Sequence, residues 1–195
     1  MKKYFYPLVE NPYRKKDITE GIKVLKTGKL TIGRRTDIFQ REFSKKIKTK
    51  NSLLVNSGSS ANLLALQCLI NPYRKKRLKK GDEVLIPALC WSTSLWPIIQ
   101  SGLKPRFVDI DTETLNFNLS ELEKKISKKT KAILAVHVLG NCPDMDLLIK
   151  IKKKYNLILI EDTCESLGTK YRNKYLGTFG DFSSFSFYTS HQISS

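Results

Sequence analysis

The segment "SFYTSH" (186–191) sets a serine, Ser186, five residues ahead of a histidine, His191. A hydroxyl can donate to an anion, and an imidazole with an ordinary pKa near ~6.5 can take or give a proton at neutral pH. A lone histidine is also a common bland surface or core residue, and His137 and His191 show no metal-ligand spacing. The stretch "NSGSSANLLAL" (56–66) reads as a strand end, a glycine turn and a helix start. First-turn amides and the positive end of a helix dipole suit a phosphate. Gly58 lets the backbone turn sharply, and the hydroxyls of Ser59 and Ser60 add donors. The same residues also read as a plain capped helix after a strand. They match neither a Walker A loop nor G-x-G-x-x-G, which argues against ATP or a dinucleotide.

Two further stretches have chemistry-bearing types. Trp91 follows "IPALC", where an indole can stack on a planar ring or serve as a partly buried core aromatic. "LILIEDTCESLG" (157–168) places Glu161 and Asp162 after four apolar residues. A carboxylate at the mouth of a buried strand is costly unless it is paired. A protonated heterocyclic nitrogen is one partner for Asp162; a metal ion or a helix end are others.

The elements that must position these groups follow from hydrophobic period. Apolar residues at helical spacing predict helices over 17–27 (Ile18, Ile22, Leu25, with Asp17 as N-cap), 36–47 (Phe39, Phe43, Ile47), 58–70 and 142–156. A further helix is predicted over 118–127, capped by Ser120 with Glu123 closing a capping box, and another over part of 92–102, limited or bent by Pro97. Short apolar runs predict strands over 52–57, 82–87, 104–111, 130–140, 157–163 and 181–189. Alternating strands and helices, with strands that are nearly continuously apolar, imply an α/β fold. Its sheet is mostly parallel, or mixed, with helices on both faces. The four chemistry-bearing stretches lie at strand carboxyl ends, where such sheets bind ligands.

The chain has 195 residues, enough for one domain, and its 41% apolar and 27% charged residues are typical of globular proteins. Its net charge is +17, but the basic residues come in short separated groups with no nucleic-acid-binding motif. They read as a solvated lysine-rich surface, with steering of an anionic substrate as the alternative; no nucleic-acid or membrane partner is expected. Cys68, Cys90, Cys142 and Cys164 form no CxxC pair, the N-terminus has no signal-like apolar region and no run could span a bilayer. A cytoplasmic protein with reduced thiols is the expectation.

Taken together, "NSGSSANLLAL", "KKGDEVLIPALCWSTS", "KPRFVDIDTETLNFN", "AVHVLGNCPDMDLL", "LILIEDTCESLGTKYRNKYLGTFGDFSSFSFY" and the closing segment resemble the DegT/StrS sugar aminotransferase family, in order and over nearly the whole chain. That resemblance implies the large domain of a fold type I pyridoxal phosphate enzyme. It assigns Gly58, Ser59, Ser60 and Ser186 to the cofactor phosphate, Trp91 to the ring face, Asp162 to the ring nitrogen and Glu165 to the same pocket. The family motif ends S-F-x-x-x-K, with lysine holding the cofactor covalently; here His191 takes that place. Histidine there resembles the nucleotide-linked 4-keto-6-deoxyhexose 3-dehydratases, nearest the GDP-4-keto-6-deoxymannose type, of deoxysugar and O-antigen biosynthesis. Imidazole cannot form the imine that lysine forms. The resemblance therefore implies a non-covalent pyridoxal or pyridoxamine 5′-phosphate, reloaded by glutamate, with His191 as the base for loss of the C3 hydroxyl from a nucleotide-linked keto-deoxysugar. An aminotransferase of the same family is the alternative.

The departures are equally plain. The second histidine usual in this branch is Gln192. Cys164 lies where the iron–sulfur ligands of CDP-linked relatives would begin, or is a small packed residue. Family members are longer and end in a smaller C-terminal domain. They are homodimers whose sites are completed by the partner subunit. Residues 1–195 are thus expected to be the N-terminal, incomplete part of such an enzyme, inactive alone or serving as a dimer partner.

Overall fold

A computed structural model describes residues 13–31 and 33–193. The chain divides into two compact units, residues 1–54 with 187–195, and residues 55–186.

In the first unit, helix α1 (Lys15–Lys26) and helix α2 (Arg34–Ile47) form where the apolar period predicts helices. Asp17 is not the N-cap of α1. Arg14 is, and Asp17 sits three residues into the helix, where its carboxylate accepts from the Arg14 amide at 3.0 Å. A carboxylate there also meets the positive end of the helix dipole. On α2, Phe39 and Phe43 stack with centroids 5.6 Å apart, and Phe187 meets both edge-on at 5.3 and 5.8 Å. Ile47 completes that face and is buried. Residues 52–57 do not form the expected strand. An apolar run becomes a strand only when a neighbour takes up its backbone groups. Here the Leu54 amide goes instead to the Gln40 side chain at 2.8 Å, and the Ser52 hydroxyl to the Gln40 carbonyl.

The second unit holds a five-stranded sheet: β1 (Glu83–Pro87), β2 (Lys104–Val108), β3 (Thr130–Val136), β4 (Ile158–Asp162) and β7 (Phe182–Ser184). Their order is β2-β1-β3-β4-β7 and every pairing is parallel, as the apolar runs required. A two-stranded antiparallel hairpin, β5 (Lys170–Tyr171) and β6 (Lys174–Tyr175), precedes β7. Helices cover both faces. On one, Leu66 and Leu69 of α3 (Gly58–Ile70) and Ile98 of α4 (Ser92–Gln100) pack on Val84, Ile86, Leu134 and Ile160. On the other, Leu122 of α5 (Leu119–Lys124) and Leu148 and Ile151 of α6 (Met145–Lys154) pack on Leu85, Ile133 and Leu159. Successive strand residues thus serve opposite cores, and each buried Leu or Ile contributes about 1.5–3 kcal/mol.

Several element ends differ from expectation. Asn118, not Ser120, caps α5, accepting from the Glu121 amide at 3.2 Å, while the Ser120 hydroxyl donates to Asn118. Strand β3 stops at Val136, because Leu139 takes a left-handed φ of 52° in a short 3₁₀ turn (Val138–Gly140). The α6 helix begins only at Met145, where Asp144 caps it through the amides of Asp146 and Leu147. The last strand is three residues long rather than nine. Pro97 sits inside α4, which ends three residues later.

Because β2 and β3 flank β1 on opposite sides, the chain changes direction across the sheet there. The crevice outside the carboxyl ends of such strands is the usual ligand position.

Candidate functional site

At the carboxyl end of β4, neighbouring residues point to opposite faces and two carboxylates part company. Asp162 turns towards α3 and α4 and is 5% exposed. Its Oδ2 accepts from Asn62 Nδ2 at 2.7 Å and from the Ser94 hydroxyl at 2.8 Å, and its Oδ1 accepts from the Cys164 amide at 3.1 Å. All three donors are neutral. Among the described residues no lysine, arginine or histidine forms an ion pair with it. A buried carboxylate held only by neutral donors keeps capacity for a further, charged partner. The other amide atom of Asn62, Oδ1, is buried without a donor among the described residues.

Glu161 faces the opposite core and is fully buried. It accepts from the amides of Gly177 (2.8 Å), Phe179 (2.8 Å) and Gly180 (2.6 Å) and from His137 Nε2 at 3.0 Å. Burial pushes its pKa upwards, but the His137 bond and charge and the amides outweigh it and hold the carboxyl below its ordinary range. Four donors converge on this carboxylate, so it pins the 177–180 turn to β4.

Helix α3 starts at the same edge of the sheet. Ser57 caps it, its Oγ accepting from the Ser60 amide at 3.1 Å and donating to the Ser60 hydroxyl. The amides of Gly58 and Ser59, first in the helix, have no intrahelical acceptor. Side chains crowd this turn: a methyl group on Gly58 would stand 2.9 Å from Cys164 Sγ and 3.5 Å from the Ser186 Cβ. Glycine is therefore needed for close approach rather than for unusual backbone angles. Ser186 is buried against this turn. Burial, then the charge of Asp162, push the Cys164 thiol upwards, so it is a neutral packed group.

Trp91 is the residue before α4, and its carbonyl accepts from the Ser94 amide at 2.9 Å. One turn of α4 thus joins Trp91 to the Ser94 that bonds Asp162. The indole is 73% exposed, so its faces are open to a ring. Glu165 follows the carboxyl end of β4 by three residues. Its Oε2 accepts from the Leu139 amide at 3.0 Å, tying down the strained turn after β3. His191 belongs to the first unit, where its amide donates to the Tyr188 carbonyl at 2.8 Å and its ring lies edge-on to Tyr188. Its Nδ1 is buried without a partner among the described residues.

Gly58, Ser59, Ser186, Asp162 and Trp91 therefore gather at the carboxyl edge of the second unit. Ser60 is engaged in the helix cap and Glu165 in the turn. Sequence reasoning missed Asn62 and Ser94, the donors to Asp162. Asn62 lies one turn, about 6 Å, along α3 from Gly58. A polar residue on the otherwise apolar face of α3 was the available signal.

Helix-start amides lie one helical turn from a buried carboxylate that neutral donors hold, and an exposed indole stands one turn of α4 from one of those donors. The profile of the DegT/DnrJ/EryC1/StrS aminotransferase family matches residues 12–195, and the chain belongs to that family. It is 39% identical, over 188 residues, to a GDP-4-keto-6-deoxy-D-mannose 3-dehydratase of Yersinia pseudotuberculosis, covering 96% of this chain and 48% of that one. It is also 39% identical over 155 residues to a GDP-perosamine synthase of Escherichia coli O157:H7, covering 80% and 41%. The solved structure of an E. coli GDP-4-keto-6-deoxy-D-mannose-3-dehydratase with bound hydrated PLP superposes with a TM-score of 0.92 at 40% identity, over 97% of this chain and 48% of that one. The chain spans about half the length of the curated relatives it matches.

Proposed function

We propose that this chain is the N-terminal, cofactor-binding large domain of a pyridoxal/pyridoxamine 5′-phosphate-dependent sugar 3-dehydratase. Its substrate would be a GDP-linked 4-keto-6-deoxyhexose. The observation that carries this reading is His191 in the place of the family lysine, following a pocket in which Asp162 is buried among neutral donors.

The pocket fits the cofactor. The amides of Gly58 and Ser59 and the hydroxyls of Ser59 and Ser186 would hold its phosphate at the positive end of α3. Ser60 would add its hydroxyl from within the cap. Asp162 would keep the ring nitrogen protonated, and Trp91 would cover one ring face. Glu165 would shape the pocket by holding the turn at Leu139. When bound, the cofactor supplies an electron sink joined to the sugar through its amine. His191 would accept the proton that leaves the carbon bearing the cofactor's amine, and its imidazolium would then give that proton to the hydroxide departing from C3 of the sugar, which leaves as water. Glutamate would restore the amine, as in an aminotransferase. A homodimer and a cytoplasmic location belong to the same proposal.

Product identity tests it. Incubated with pyridoxal phosphate, glutamate and GDP-4-keto-6-deoxymannose, the protein is expected to give a 3-deoxy-4-keto sugar. An amino sugar that keeps its C3 hydroxyl would make it an aminotransferase. A His191→Lys variant that still dehydrates well would remove the role given to His191.

A further inference from the structure

In the sequence the basic residues look scattered; the topology of the second unit collects many of them. "RKKRLKK" (74–80), "KKISKK" (124–129) and "KKK" (152–154) precede β1, β3 and β4. Those three strands are neighbours in the sheet and run parallel, so all three connections emerge at its amino edge. Hydrogen bonds tie two of them there, from the Glu83 amide to the Lys129 carbonyl at 2.8 Å and from the Gly81 amide to the Gly102 carbonyl at 2.9 Å. None of the three segments contains an acid. Lys124, Lys152 and Lys154 pair with Glu121, Asp181 and Glu123. Lys75, Lys76, Arg77, Lys79, Lys80, Lys128 and Lys129 are exposed and form no ion pair among the described residues.

This edge lies one strand length, about 17 Å, from the carboxyl edge at which α3 starts. It cannot touch a ligand bound there. The loop at its centre also raises an aromatic: Tyr73 is 95% exposed, immediately before Arg74. A large ring left in water among cations costs hydrophobic free energy unless something covers it.

We propose that this amino edge docks on an anionic lipid bilayer, a partner that the scattered charges of the sequence do not suggest. Clustered lysines are drawn to an anionic leaflet, each by roughly fivefold in affinity. A tyrosine, apolar in its ring and polar at its tip, fits the headgroup boundary. A nucleic-acid partner fits less well. The segments are dominated by lysine, which lacks the planar fork of arginine, and a single exposed ring gives no stacking platform for successive bases. The attachment is peripheral: no described helix is long and apolar enough to cross a membrane.

Co-sedimentation of the purified chain with phosphatidylcholine vesicles, with and without phosphatidylglycerol, at near-physiological salt tests this. Binding is expected only to the anionic vesicles. A Lys75→Glu/Lys76→Glu variant is expected to lose at least about twentyfold in partitioning. Tyr73→Ser is expected to lose a few fold, both variants keeping the parental thermal unfolding. Lys45→Glu/Lys46→Glu on α2 makes the same change in net charge and is expected to have little effect. An equal loss in that control would reduce the attraction to net charge and overturn the proposal. So would absence of binding to anionic vesicles, or tighter binding to an oligonucleotide at the same ionic strength.

Discussion

At the carboxyl edge of the sheet Asp162 is buried among neutral donors, while at the amino edge Lys75, Lys76, Lys79, Lys80, Lys128 and Lys129 stand in water without an ion pair among the described residues. The same strands connect the two edges, yet they solve opposite electrostatic problems. The buried anion is held by side chains from α3 and α4, elements that also pack the core, so its geometry is rigid. Those unpaired cations hang on connecting loops, whereas Lys124 and the lysines at 152–154 end the packed helices α5 and α6. Precision of placement goes with burial, and accumulation of charge goes with its absence. Within the carboxyl edge a second contrast holds. Glu161 and Asp162 are adjacent, but one is saturated by four donors and serves the fold, whereas the other keeps capacity for a ligand.

Substitution of the two acids should separate these roles most sharply. Glu161→Gln leaves an amide facing donors in a sealed site and is expected to cost about 3 kcal/mol in urea unfolding. Asp162→Asn removes an unpaired buried charge along with its hydrogen bonds, so it should cost only about 1 kcal/mol. Equal costs would erase the distinction. The pH dependence follows from the same contacts. The folded pKa of Glu161 lies below its ordinary 4.5, so its contribution is complete above that value and is lost as pH falls through the depressed one. Acid unfolding of Glu161→Gln should accordingly show a shallower pH dependence in that range.

Gly58→Ala should cost about 1–3 kcal/mol, because the new methyl meets the Cys164 sulfur at 2.9 Å. Adding Cys164→Ala should return most of that loss, and a thermal-unfolding cycle of the four proteins measures the coupling. The smallest effect is expected at the amino edge, where Lys79→Glu/Lys80→Glu should change folding stability by less than about 0.5 kcal/mol. A larger loss would mean that those lysines hold the fold rather than merely decorate it.

Much of this was legible in the sequence. Continuous apolar runs such as "VLIP" and "LILI" suit strands buried on both faces of a parallel sheet, and the glycine–helix pattern at Gly58 located the start of α3. What the sequence withheld depends on partners far along the chain. Residues 52–57 have strand composition but find no strand to pair with. Asn62 and Ser94 lie 100 and 68 residues from the Asp162 they bond. Glu161 and Asp162 look alike until strand alternation sends them to different cores. The basic segments are separated along the chain, and only the order β1-β3-β4 brings them together.

Everything proposed for the carboxyl edge rests on Asp162 holding a phosphorylated pyridine ring there. Equilibrium dialysis of pyridoxamine 5′-phosphate isolates that interaction, because the amine cannot form imines with the many lysines of this chain. Saturable binding is expected at one site per chain, weakened about a hundredfold by Asp162→Asn with the fold intact. Absence of saturable binding, or an affinity that Asp162→Asn leaves unchanged, would contradict it.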